Sequence, residues 1–195
     1  MRDWSEVRRS RFDLRKVSPE TFILARVTEG LDKYYQRKKG KFRITELLDV
    51  NVLRDYCQSI YTINEWMFVS PKCIKNYNSW LYKIKDGGSG VIIATEHEKN
   101  HARILPKLAE WAQGRCVAVF RFLTLLAHEI GHVALEHKLT EVTKLRDAEK
   151  YPAMNPEHEW EAWLFAEYLR AFILADYSVE TRQNEQRDGA PDLFL

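Results

Sequence analysis

The chain has 195 residues, 45% hydrophobic and 30% charged, with a formal net charge of +2; this balance excludes a disordered or fibrous polymer and fits a single domain with a sizeable core. No apolar run reaches the roughly 18–20 residues that span a bilayer. The opening MRDWSEVRRSRFDLRK has no apolar signal core, so a cytoplasmic protein without membrane attachment is expected.

Charge is uneven along the chain. Through Arg43 there are 13 basic and 6 acidic residues, and beyond it 17 and 22, an asymmetry that can steer an acidic partner to the N-terminal part. Cys57, Cys73 and Cys116 form no CxxC pair and are odd in number. Reduced thiols are expected rather than a disulfide framework.

In chain order, the first predicted element is a helix over VSPETFILARVTEGLDKYYQRKKG, with Ser18 as N-cap, Pro19 at the first helical position and Gly40 past the end. ITELLDVNVLRDYCQSI reads as a second helix from its apolar spacing. Between about Glu65 and Glu96 the texture turns to short β-branched and aromatic runs, WMFVS, SWLYKIK and GVIIAT, separated by turn material such as DGGSG. These predict two or three strands, the last two a hairpin. ILPKLAEWAQG reads as a short helix or loop. RCVAVFRFLTLLAHEIGHVALEH is a long, nearly all-apolar helix expected at the centre of the core. After a charged connection, NPEHEWEAWLFAEYLRAFILAD forms the last helix, with Asn155 and Pro156 at its start. The expected organisation is one domain over 1–176, made of an N-terminal helical part (1–62), a β region (63–96) and the metal-binding helices (97–176). A polar tail, expected to be loose, follows over 177–195.

The chemistry is concentrated in LLAHEIGHVALEH. His128 and His132 are four apart on a helix, so their imidazoles project from one face, one turn apart. Two nitrogens held in that way chelate one divalent ion, and Glu129 beside them is placed to act as general base. The bland alternative is a hydrogen-bonded histidine pair beside a solvated glutamate, but an apolar helix is a costly place for unpaired polar groups. A metzincin would continue with histidine at position 138, which is Lys here. The third ligand therefore comes from elsewhere, and the last helix offers Glu157, Glu159, Glu161 and Glu167, among which periodicity does not choose.

FRFLTLLAHEIGH followed by EWEAWLFAEYL resembles the ImmA/IrrE family of zinc metallopeptidases, whose pattern is an RFT-like lead into HExGH and a later E-A-x-x-F-A-x-x-L helix. The match covers about Val119 to Leu169, with Ala162, Phe165, Ala166 and Leu169 in the second pattern. The resemblance implies Zn2+ held by His128, His132 and Glu161. It implies a minimal zincin-like α+β fold with N-terminal helices, a short antiparallel sheet, the HExxH helix and a second Glu-bearing helix. It also implies an endopeptidase that cuts a specific helix-turn-helix repressor to switch on a stress, phage-defence or mobile-element operon. The chain departs from the pattern where the family often has a histidine four residues after the second ligand: here that position is Glu136, followed by His137.

Around this set stand further candidates, each beside a plainer role. His158, Tyr168 and His137 are candidates for stabilising a transition state or orienting a ligand, or else capping and core-edge residues. Cys116 can supply an inhibitory fourth ligand, or is a buried structural cysteine. Tyr34, Tyr35, Arg37, Lys38, Lys39 and Lys41 interleave charge with stacking faces, a recipe for single-stranded DNA as an activating signal; the alternative is a solvated helix end with its aromatics turned inward. His97 and His101, a second pair four apart in a polar stretch, read as surface residues. Two rival functions remain: a non-catalytic zinc-stabilised regulator or DNA-binding module, and a toxin-like hydrolase of a toxin–antitoxin pair.

Overall fold

Ser18 and Pro19 begin the first helix, α1 (Pro19–Arg37), as their chemistry predicts. Ser18 Oγ accepts the Thr21 amide at 3.3 Å, satisfying a donor that has no partner within the helix. The computed structural model describes residues 17–70, 79–84, 87–105, 117–137 and 155–187. The continuous helix expected next is broken in two. A 3-10 turn over Ile44–Leu48 precedes α2 (Val50–Tyr61). The break lies at Asp49, whose extended backbone ends the turn and whose Oδ1 accepts the amides of Asn51 at 2.7 Å and Val52 at 3.2 Å. An aspartate inside an apolar periodicity acted as an N-cap and overrode the pattern.

Three strands follow, β1 (Ile63–Val69), β2 (Ser79–Lys83) and β3 (Ser89–Ala94). The hairpin β2–β3 is antiparallel as expected. The sheet as a whole is mixed, because β1 pairs with β3 in parallel and the strand order is β1-β3-β2. This corrects the antiparallel sheet anticipated from sequence. The cause is visible in β3, which is buried along its whole length: a strand covered on both faces and paired on both edges sits centrally, displacing β1 from β2.

Helix α3 (Thr95–Ile104) leaves β3 directly. His97 and His101 on it are buried, at 7% and 0% exposure, not on the surface. His101 Nε2 lies 2.7 Å from the Leu48 carbonyl, and its ring packs on Phe122. The charged residues around these histidines disguised an inward face. Helices α4 (Val117–Ala134) and α5 (Pro156–Arg187) complete the fold. Asn155 Oδ1 caps α5 by accepting the Glu157 amide at 3.0 Å. The helix continues past position 176 to Arg187, so the segment anticipated as a loose tail begins as helix. No helix among the described residues is long and apolar enough to cross a membrane.

The core joins the N-terminal helices to α4 and α5. Edge-to-face rings run from Phe42 through Tyr34, Tyr56 and Tyr61 to Phe165, with centroids 4.7, 5.2, 5.4 and 6.4 Å apart. Phe122, Leu123, Leu126 and Ile130 of α4 pack with Ala166, Leu169 and Ile173 of α5 in the same cluster. The 3-10 turn is tied to α5 where the Thr45 amide donates to Asp176 at 2.9 Å.

Gly131 sets how closely α4 meets α5. A Cβ there would lie 3.0 Å from Ala162 Cα, 3.1 Å from its carbonyl oxygen and 3.1 Å from Phe165 Cβ. Gly131→Ala should therefore destabilise the protein. Overpacking costs about 1–3 kcal/mol, whereas the helix gains only about 1 kcal/mol on exchanging Gly for Ala. Urea unfolding checks this, and an unchanged or raised midpoint would contradict it.

Burial also holds the His97 imidazole below its ordinary pKa, with Arg121 adding to the effect. The folded chain thus keeps His97 neutral where the unfolded chain binds a proton. Stability is present above about pH 6.5 and falls as pH drops through that value. Unfolding measured from pH 7.5 to 5 should lose part of this slope in His97→Gln.

Candidate metal centre

The apolar character of α4 and its contact with α5 place a small polar cluster inside the protein. His128 and His132 are 6% and 1% exposed, and their Nε2 atoms lie 3.2 Å apart. From α5, Glu159 reaches both: Oε2 is 3.2 Å from His128 Nε2 and Oε1 is 3.6 Å from His132 Nε2. The three groups present two nitrogens and a carboxylate oxygen within 4.8 Å of one another. A triangle of such donors can hold a divalent cation.

Burial governs the protonation of this cluster. It pushes His132 down to about pKa 3, with His128 nearby acting in the same direction. The imidazole therefore stays neutral, the form that ligates metal. Glu159 is held below the ordinary glutamate range, first by its hydrogen bond with His128.

Glu129, next to His128, is 4% exposed and turns toward the sheet. Ser79 Oγ, at the start of β2, donates to its Oε1 at 2.6 Å. Burial raises Glu129 to about pKa 7, against the lowering effects of His128 and Ser79. A carboxylate poised there can take up and release a proton near neutrality.

The structure differs from the motif resemblance over the second helix. Glu159, not Glu161, joins the histidine pair. Residues two apart on a helix point to nearly opposite sides, and Glu161 instead meets His137, Oε2 to Nε2 at 2.9 Å. His137 in turn lies 2.9 Å from His132, Nδ1 to Nδ1. His158 stacks flat on His137, with ring centroids 4.2 Å apart and planes 7° apart. Tyr168 is partly buried against the main core cluster.

His137 owes its place to the end of α4. Glu136 adopts φ 60°, a left-handed conformation that usually falls to glycine. The reversal lets the His137 amide donate to the His132 carbonyl at 2.9 Å, which brings the two rings together.

Two neighbours of the cluster escaped the sequence reading. Ser79 is separated from Glu129 by 50 positions, a pairing that no local pattern announces. Trp163 lies with its ring 4.3 Å from that of His128 while remaining 42% exposed. Its position four residues after Glu159 was the available signal, since the two share a helix face.

The other candidates lie elsewhere. Tyr34 is fully buried, and its hydroxyl donates to Asp55 Oδ2 at 2.7 Å. Its ring is therefore not free to stack on a base, and Phe42 is buried beside it. Lys38 pairs with the same Asp55 oxygen at 2.7 Å. Tyr35 remains exposed, as do Arg37, Lys39 and Lys41. The inward aromatics correct the stacking role given to Tyr34 and favour the plainer reading of that segment. Cys116 lies outside the described residues.

No protein-family model, curated protein or solved structure matches the chain.

The donor triangle generates a direct test. Titration with Zn2+ against a chromophoric chelator should show one equivalent bound. His128→Ala, His132→Ala and Glu159→Ala should each weaken binding by more than the roughly 10–100-fold typical of an outer partner. Glu159→Ala binding as tightly as wild type would contradict the assignment.

Proposed function

We propose that the protein is a zinc-dependent endopeptidase, with zinc held by His128, His132 and Glu159 and with Glu129 as general base. The observation that carries this reading is the convergence of two buried imidazoles and a partly exposed carboxylate with a buried carboxylate, Glu129, beside the first histidine. The donor set suits zinc chemically. Nitrogens 3.2 Å apart are close to the edge of about 3.3 Å expected between two ligands in a tetrahedron with zinc–nitrogen bonds of 2.0–2.1 Å. A purely structural zinc site closes its coordination with four protein ligands and needs no base beside it.

Bound zinc supplies a Lewis acid that polarises a carbonyl and acidifies water. The protein's own groups handle the proton. Ser79 holds Oε1 of Glu129, which leaves Oε2 to accept a proton from the attacking water and pass it to the departing amine. β2, whose first residue makes that contact, is an edge strand among the described residues. An extended peptide can add to such an edge through main-chain hydrogen bonds.

The motif resemblance narrows the substrate to a helix-turn-helix repressor whose loss switches on an operon. The test incubates the purified protein with any small helix-turn-helix repressor encoded beside its gene. Cleavage should occur, stop with a chelator and return with Zn2+. Glu129→Gln should retain zinc and lose about 10²–10⁴-fold in rate, the range for a general base. Control of the partner that survives Glu129→Gln intact would favour a non-catalytic regulator.

A further inference from the structure

The donor triangle leaves a second chain of polar groups without a role, running from the partly exposed Glu161 through the buried His137 to the inner nitrogen of His132. We infer that Glu161 and His137 form a positioning relay that fixes His132 in the tautomer able to present its Nε2 lone pair to an ion. Its purpose rests on the metal reading above; its geometry does not.

The direction of each proton follows from the chemistry of the groups. An ionised carboxylate only accepts hydrogen bonds. At 2.9 Å from Glu161 Oε2, His137 Nε2 must therefore carry the hydrogen. A neutral imidazole has one N–H, so His137 Nδ1 is then a lone pair and can only accept. The atom facing it at 2.9 Å is His132 Nδ1, which must donate. His132 Nε2 is thereby left as a lone pair, and it is the atom that faces His128 and Glu159. One acidic oxygen thus sets two tautomers in series, extending by one imidazole the carboxylate–histidine pairing that commonly orients metal ligands.

The surroundings hold the relay in place. His158 stacks on His137 and fixes its ring plane. The left-handed turn at Glu136 and the bond from the His137 amide to the His132 carbonyl fix its backbone. Arg26 meets Glu136 at 3.3 Å and ties that turn to α1. The two histidines of the triangle are not equivalent: His128 Nδ1 is buried with no hydrogen-bond partner among the described residues. The relay therefore acts on His132 alone.

The experiment uses the full chain and three variants, His137→Phe, Glu161→Ala and Glu161→Gln, read by ¹⁵N shifts of the ring nitrogens and by Zn2+ affinity. In metal-free wild type, His132 should be the Nδ1–H tautomer and His137 the Nε2–H tautomer. His137→Phe and Glu161→Ala should weaken zinc binding about 10–100-fold. Glu161→Gln should retain most of the affinity, because its amide oxygen still accepts from His137. A metal-free His132 found as the Nε2–H tautomer overturns the relay. So does unchanged affinity in Glu161→Ala, or a loss there as complete as in His132→Ala, which would make Glu161 a direct ligand. Wild type that takes up no zinc overturns the metal reading, and the tautomers of the metal-free chain then judge the relay separately.

Discussion

The close approach of α4 and α5 at Gly131 is the constraint on which the rest depends. A glycine in a helix interior costs about 1 kcal/mol relative to alanine, so its place within HEIGH calls for a reason. The backbone of Ala162 supplies one, because it leaves little room for a Cβ. His128 lies three residues before Gly131, and Glu159 three before Ala162. Once the two small residues touch, side chains one turn away on each helix come within reach of each other. The donor triangle follows from helix packing rather than from a binding loop.

That packing also explains the electrostatics. Close packing strips water from both sides of α4, raising Glu129 where it meets the sheet and lowering His132 where it meets α5 through the same desolvation. Each charged or neutral form is then held by a specific partner: Ser79 for Glu129, the histidines for Glu159, and His137 for Glu161. Two carboxylates two residues apart on one helix serve separate members of the histidine cluster.

Much of this was legible in the sequence. His128, Glu129 and His132 declare themselves by spacing, and Ser18, Pro19, Asn155 and Pro156 mark their helices by local capping chemistry. Information carried by distant contacts was not legible. The parallel pairing of β1 with β3 depends on which strand takes the middle of the sheet, and Ser79 reaches Glu129 across 50 positions. The split at Asp49 turned on one side chain competing with the helix pattern, and the buried histidines of α3 were masked by charged neighbours. The choice between Glu159 and Glu161 turns on helix rotation, which an apolar-all-round helix does not encode in its periodicity.

The central claim is that one divalent ion lies between α4 and α5. Anomalous diffraction at the zinc edge, from crystals of the zinc-loaded protein, tests it most directly. The account predicts a single peak about 2 Å from Nε2 of both His128 and His132 and from a carboxylate oxygen of Glu159. A peak at any other position, or none at full zinc occupancy of the solution, would contradict it.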